Sequence, residues 1–102
     1  MGHPHISTSG DVGRINLPTR FDVMSSHEFR IPFVRLLNNT STRKLVADFS
    51  SVDYIDSTGI GTLISWEKIC SETGKTLVLD KCGKHVVKVF KLSGVERLFA
   101  YS

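Results

Sequence analysis

Apolar and polar residues alternate near the N-terminus of the chain. From Ile15 this alternation predicts a β-strand over residues 12–17, because successive side chains of a strand face opposite sides of its sheet. Pro18 ends the strand, since proline has no N–H to donate to a neighbouring strand. Residues 1–9 are predicted to form a loosely ordered arm or a short edge strand, the strand spanning residues 5–9.

A helical spacing of apolar residues comes next. It predicts a helix whose buried face carries Phe29, Phe33, Leu36 and Leu37. Ser25 or Ser26 is the predicted N-cap, and Glu28 completes a capping-box pattern with Ser25. Pro32 conflicts with an unbroken helix, because proline removes one backbone hydrogen bond and collides with the preceding turn. We therefore expect either a kink at Pro32 or a helix that begins later than the serines suggest.

Two short apolar runs, residues 44–49 and residues 76–79, flank a second helical pattern. Each run predicts a strand, and the first suits a strand covered on both faces. The helix between them starts near Thr58, ends before Gly74 and has a broad apolar face made by Ile60, Leu63, Ile64, Trp66 and Cys70. Strand, helix and strand form a βαβ unit with parallel strands. Partners and ligands of such sheets usually bind at the carboxyl ends of strands, which makes residues 53–61 the candidate functional edge.

A third helix is predicted over residues 83–92, and Ser93-Gly94 ends it. Its inward side chains are Val86, Val87 and Phe90. Its basic face, formed by Lys84, Lys88 and Lys91, is interpreted as facing water. Residues 95–99 form a final short element whose type the pattern leaves open.

The composition limits the class of protein. A length of 102 residues predicts one domain, residues 1–102, with a modest hydrophobic core. We expect a cytoplasmic protein, because no apolar run is long enough to span a membrane and no signal peptide is visible. The net charge is +3 and the basic residues are spread out, which gives little support for a nucleic-acid partner. Two separate cysteines and scattered histidines predict free thiols, no metal and no cofactor.

The turn from Asp56 to Gly61 is the most informative stretch. Asp56 or Ser57 can cap the following helix. Gly59 and Gly61 each cost that helix about 1 kcal/mol against alanine, so a further reason for them is expected, such as the close approach of another backbone or another protein. A phosphate on Ser57 would meet the positive end of the helix dipole, although the charge of Asp56 would oppose it.

Generic capping is the alternative explanation of this turn, and from the residues alone it is the favoured one. Other motifs fail on spacing. A dinucleotide fingerprint requires a third glycine where Ile64 stands, and no Gly-x-Ser-x-Gly elbow occurs. A triad of Ser57, His85 and an aspartate stays open, but nothing marks His85 as a base, and a histidine on a helix surface is the preferred interpretation.

Three segments of the chain together resemble a known family. The segment from Leu45 to Gly61 is similar to the core motif of STAS domains, the anti-sigma factor antagonist family. The likeness continues through residues 74–79 and residues 89–99, in the same order and with family-like spacing. It departs from the family at Thr19, where glycine is frequent, and at Pro32, which is unusual in the first helix.

The resemblance implies an α/β STAS fold, a mixed sheet of four to five strands with helices mainly on one side. It implies that Ser57 is a phosphorylation target, with partner contacts at Asp22, Asp56, Thr58, Gly59 and Gly61. The unphosphorylated form would bind a serine kinase that is also an anti-sigma factor and has the histidine-kinase-like ATPase fold. Phosphorylation would release the complex, and a serine phosphatase would restore it.

Three classes of function remain after this resemblance. A regulatory partner switch without enzyme activity is preferred. An accessory STAS subunit of a lipid ABC transporter complex is the alternative, and it would not require phosphate turnover. An enzyme or nucleotide binder is the least supported class, because the chain lacks a glycine pattern that could cradle phosphates.

Overall fold

The computed structural model describes residues 5–102, and a five-stranded mixed sheet forms its centre. The strand order is β1-β2-β4-β6-β7, where the strands are β1 (Ile6–Ser9), β2 (Val12–Asn16), β4 (Lys44–Asp48), β6 (Thr76–Asp80) and β7 (Ala100–Tyr101). β1 runs antiparallel to β2, and every other neighbouring pair is parallel. The edge strand expected within residues 5–9 is therefore present, whereas residues 1–4 of the expected arm lie outside the described residues.

The helices pack on one face of this sheet. They are α1 (Val23–Glu28), α2 (Arg30–Asn38), α3 (Ser57–Glu72) and α4 (Lys84–Leu92), followed by a 3-10 turn (Glu96–Leu98). The α/β fold with a mixed sheet and helices mainly on one side is confirmed. Among residues 5–102, no helix is long and apolar enough to span a membrane.

The core between helices and sheet joins alternate strand residues to the apolar helix faces. Leu45 and Ala47 of β4 lie in it with Leu77 and Leu79 of β6. The predicted face of α3 is confirmed, with Ile64 only partly buried. In α4 the prediction is correct for Val86 and Phe90, but Val87 is half-buried, and Val89 is the third side chain that packs on the core.

The start of the first helix differs from the prediction. The N-cap is Asp22, whose carboxylate accepts hydrogen bonds from the N–H groups of Met24 and Ser25. Ser25 is the third helical residue, and its hydroxyl accepts from the N–H of Asp22 at 2.8 Å. The capping box therefore joins Asp22 to Ser25, and the prediction that Ser25 or Ser26 caps the helix is wrong. Aspartate caps as well as serine does, and the pattern alone could not choose between them.

Pro32 explains why the first helical region is divided into α1 and α2. Phe29 separates the two helices, and Pro32 lies in the first turn of α2. A residue in the first turn has no partner for its N–H within the helix, so a proline there loses no hydrogen bond. The conflict expected at Pro32 is thus resolved by a helix break three residues before it.

Two short strands were missed by the sequence pattern. β3 (Arg20–Phe21) and β5 (Tyr54–Ile55) pair in parallel beside the main sheet. β5 lies between the strand predicted over residues 44–49 and the helix predicted to start near Thr58. Strands of two residues are too short to show an alternating pattern, and the pairing depends on contacts distant in sequence.

Residues 45–49 are all buried, as expected of a strand covered on both faces, and Val46 and Val78 lie on the sheet face opposite the core cluster. Arg14 crosses this face, and its guanidinium donates to Asp48 at 2.6 Å and to Asp80 at 3.2 Å. These three residues lie on three adjacent strands. Val46 and Val78 alternate with the core residues of their strands and are buried on this side.

Candidate functional site

The pairing of β3 with β5 brings two sequence-predicted residues to one edge. Phe21 lies opposite Ile55, and the N–H of Asp56 donates to the carbonyl oxygen of Phe21. Asp22 and Asp56 directly follow these strands, and α1 and α3 begin immediately after them. Neighbouring strands are about 4.8 Å apart, so the two helices start side by side with an aspartate at each start.

Asp56 caps α3, and Ser57 is the first helical residue. The Asp56 carboxylate accepts from the N–H of Gly59 at 2.8 Å, which leaves the N–H groups of Ser57 and Thr58 without an acceptor among residues 5–102. Both side chains are exposed. The Ser57 hydroxyl therefore projects from a helix N-terminus that has free backbone donors, and these donors favour a negatively charged group.

The two glycines of this turn serve different purposes. A Cβ on Gly59 would lie 2.2 Å from the carbonyl oxygen of Phe21 and 2.9 Å from a side-chain carbon of Ile55. Gly59 is buried, and it is required for the close packing of α3 on β3 and β5. A Cβ on Gly61 would meet nothing within 4 Å, and Gly61 is exposed. The close approach of another backbone, one of the two reasons expected for these glycines, is found at Gly59, whereas Gly61 leaves room for another molecule.

Asp22 is held as a carboxylate by its role as a cap. The hydrogen bond from the N–H of Ser25 is the main cause that lowers the pKa of Asp22, and the N–H of Met24 and the charge of Arg20 add to it, with a smaller opposing effect of burial. The Arg20 guanidinium lies 3.7 Å from the carboxylate and stacks 4.1 Å above the Tyr54 ring. The Asp22 carboxylate is therefore ionised and paired with the Arg20 cation at the start of α1.

Exposed apolar side chains surround this pair of helix starts. Val23 and Met24 in the first turn of α1 are 59% and 72% exposed, and Tyr54 of β5 is 37% exposed. The exposure of these three side chains was not predicted, because the apolar character of a residue does not show whether it is buried or exposed. For Val23 and Met24 the available signal was their position directly after Asp22, in a first turn that had not been recognised as helical.

A groove also runs between the helices beside Ser57. This α2–α3 groove has a volume of about 560 Å³, and its apolar lining is Phe33, Val34, Leu37, Trp66 and Ile69. The Phe33 and Trp66 rings stack in parallel with their centroids 4.6 Å apart. Thr58 and Gly61 line the same groove, so it opens beside the predicted phosphorylation site.

Other candidate residues do not join this site. His85 is exposed on α4 and has no hydrogen bond to Ser57 or to an aspartate, so the triad interpretation is wrong. Lys84 and Lys88 are exposed, as expected of a face in water, and Lys91 lies 3.8 Å from Glu96. Within residues 5–102, no cluster of histidine, cysteine and acidic side chains could hold a metal ion.

The mixed sheet, the one-sided helix layer and the hydroxyl at a helix N-terminus define a small α/β domain with a STAS-type fold. The chain belongs to the STAS domain family, since the family model described as Mlab, STAS domain matches residues 5–100. This match confirms the resemblance that the sequence motifs indicated.

Named relatives are similar along most of their length. A STAS-domain containing protein of Pseudomonas aeruginosa is 27% identical over 96 residues, covering 94% of this chain and 93% of that protein. The anti-sigma-B factor antagonist of Bacillus subtilis is 24% identical over 89 residues, which cover 87% of this chain and 80% of that protein. The phosphorylated form of the Bacillus cell fate determinant SpoIIAA superposes with a TM-score of 0.71 at 15% identity. The superposition covers 95% of this chain and 88% of that chain. At that identity the structural likeness shows a shared fold.

Proposed function

We propose that the protein is a regulatory partner switch of the anti-sigma factor antagonist type, with Ser57 as its phosphorylated residue. The observation that carries the proposal is the exposed Ser57 hydroxyl at the first position of α3, beside free backbone donors. A relative that is an anti-sigma-B factor antagonist supports the same function.

The unphosphorylated surface is suited to a close-fitting partner. Thr58 and Gly61 are exposed next to Ser57, and Met24 adds an apolar side chain from α1. We propose that a serine kinase of the histidine-kinase-like ATPase fold, acting as an anti-sigma factor, binds here in the cytoplasm. The protein is then the kinase's ligand and substrate and is not itself an enzyme.

Phosphorylation would act through charge. A phosphoserine adds about −1.5 to −2 charges at neutral pH. Asp22 and Asp56 already place carboxylates at the starts of α1 and α3, so the modified surface would become strongly negative. A partner fitted to the small, neutral Ser57 would lose contact and meet repulsion, and a serine phosphatase would restore binding.

The experiment begins with a search of the neighbouring genes for a serine kinase of the histidine-kinase-like ATPase fold, and the purified kinase is then the reagent for the test. We expect intact-mass and peptide analysis to find one phosphate, on Ser57, after incubation with the kinase and ATP. Ser57→Ala should bind the kinase without being phosphorylated, and Ser57→Asp should bind roughly 10- to 100-fold more weakly. Thr58→Ala is the matched control, since it removes the neighbouring hydroxyl and should still be phosphorylated.

Two outcomes would contradict the partner switch. Phosphate on Thr58 alone would reassign the site. If Ser57→Asp bound the kinase with wild-type affinity, a negative charge at Ser57 would not control binding, and the partner switch would be contradicted. Co-purification with a transport ATPase, with no phosphate turnover on Ser57, would instead support the accessory-subunit function.

A further inference from the structure

We propose that the α2–α3 groove binds a small amphipathic carboxylate, with its apolar chain along Phe33 and Trp66 and its carboxylate at Arg30. The groove volume of about 560 Å³ lies within the range of about 300–1,000 Å³ that is usual for ligand sites. Its lining is mainly apolar with a few polar groups, which is the composition that such sites share.

The charge of the lining determines the kind of ligand. Among residues 5–102, Arg30 is the only charged residue that lines the groove. It is exposed, and its guanidinium makes no ion pair within the part of the chain that the structure describes. In the described part of the chain, no carboxylate lines the groove to compete for this guanidinium. A planar guanidinium pairs best with a carboxylate or a phosphate, so the free charge at this rim favours an anionic head group.

A second, independent observation is the state of Ser26. Its side chain is 8% exposed and lines the groove, but its hydroxyl has no hydrogen-bond partner among residues 5–102. Buried hydroxyl groups in folded proteins nearly always have a partner. The Ser26 oxygen is enclosed in the structure, so a head group next to Arg30 would reach it only after the Ser26 side chain rotates toward the groove.

Trp66 makes the proposal directly measurable. It is the only tryptophan of the chain, and it lines the groove. Sodium decanoate is the probe, used below its micelle concentration. We expect a saturable change of tryptophan fluorescence with decanoate, and binding of decanol and decyltrimethylammonium that is roughly 10-fold weaker. Arg30→Gln should weaken decanoate binding by a similar factor and leave decanol binding unchanged.

Two further variants test the location and the charge effect. Arg97→Gln removes an exposed arginine that does not line the groove, and it should bind decanoate as the wild type does. Gly61→Leu adds a side chain where a Cβ has open space, and it should abolish the fluorescence change while circular dichroism shows a folded protein.

Three results would overturn the proposal. The first is no saturable response of the wild type to decanoate, which would mean that the groove does not bind this ligand and that a protein partner is the remaining candidate occupant. The second is equal affinity for decanol, which would show that the groove does not select a carboxylate head group. The third is full binding by folded Gly61→Leu, which would place the probe elsewhere. The measurement needs no kinase, so its outcome is independent of whether Ser57 is phosphorylated.

Discussion

Gly59 and Gly61 lie two residues apart in the first turns of α3, yet their surroundings are opposite. Gly59 is enclosed by the backbone of Phe21 and the side chain of Ile55, and Gly61 faces open space. The first glycine lets the helix pack on the short strand pair that positions Asp22 and Asp56. The second leaves an uncovered patch beside Ser57. One glycine therefore builds the site, and the other keeps it accessible.

Alanine substitutions at these two glycines should change stability in opposite directions. Gly59→Ala places a Cβ against a carbonyl oxygen that cannot move freely, and we expect a loss of about 1–3 kcal/mol or more in the free energy of unfolding. Gly61→Ala removes only the helix penalty of glycine, and we expect a gain of about 0.5–1 kcal/mol. Urea denaturation of both variants measures the two values.

Gly61→Ala is also the control for Gly59→Ala, because it makes the same chemical change in the same helix. A loss of stability in both variants would mean that the helix start, and not the contact with Phe21, responds to the added methyl group. A gain in both would show that α3 can shift away from β3 without cost.

At the scale of elements, one cation links the strands on the sheet face opposite the core cluster. Arg14 of β2 donates to Asp48 of β4 and Asp80 of β6, and it thereby joins three adjacent strands. Burial raises the pKa of Asp48, but hydrogen bonds from Ser50 and Arg14 and the Arg14 charge outweigh burial and hold that pKa below its usual value. The network thus keeps a buried carboxylate ionised.

Arg14→Met should destabilise the protein in a pH-dependent way. At neutral pH the variant leaves the Asp48 charge without its cation, and we expect a loss of about 1–3 kcal/mol. A carboxyl whose folded pKa is lowered contributes stability above its unfolded pKa of about 3.9 and loses that contribution as pH falls through the folded pKa. The difference between wild type and variant should therefore shrink below about pH 4, as urea denaturation across pH will measure.

Arg43→Met is the matched control for this pH series. Arg43 is exposed, and its guanidinium has no partner in the described part of the chain. Its substitution should change stability by less than about 0.5 kcal/mol at every pH. A difference for Arg14→Met that stays constant between pH 7 and pH 3 would show that its packing, and not its charge, stabilises the sheet.

The sequence predicted the long elements better than the short ones. The apolar face of α3 has a helical period, and β4 and β6 are short apolar runs, so both patterns predicted the type of element. The end of α4 at Ser93-Gly94 was also predicted. β3 and β5 could not be predicted, because two residues hold no period and their pairing is set by Phe21 meeting Ile55. For the same reason Asp22 was connected to the site by family resemblance alone, and the groove at Trp66 was not predicted.

At the scale of the whole molecule, the candidate site is a surface feature on a rigid support. Asp56, the carbonyl of Phe21 and the buried Gly59 fix the start of α3 from beneath, whereas the Ser57 side chain is exposed and makes no hydrogen bond within residues 5–102. A change at Ser57 can therefore alter the charge of the surface without disturbing the layers below it. This arrangement suits a switch that is read by its partners and does not depend on a change of shape.

Ser57→Asp should accordingly leave the fold and its stability almost unchanged. Surface substitutions usually shift the free energy of unfolding by no more than about 0.5 kcal/mol, which is about 2–4 °C in Tm for a domain of this size. An added carboxylate at a helix N-terminus is also favourable. We expect amide chemical shift changes confined to the starts of α1 and α3, measured by NMR together with Tm.

Leu63→Ala is the comparison for this last prediction, because Leu63 lies in the same helix but is fully buried. It should cost about 2–5 kcal/mol and lower Tm strongly. If Ser57→Asp lowered Tm as Leu63→Ala does, the loss of kinase binding would follow from unfolding, and repulsion at the surface would not be needed to explain it. An unchanged Tm with lost binding would place the whole effect in the charge at Ser57.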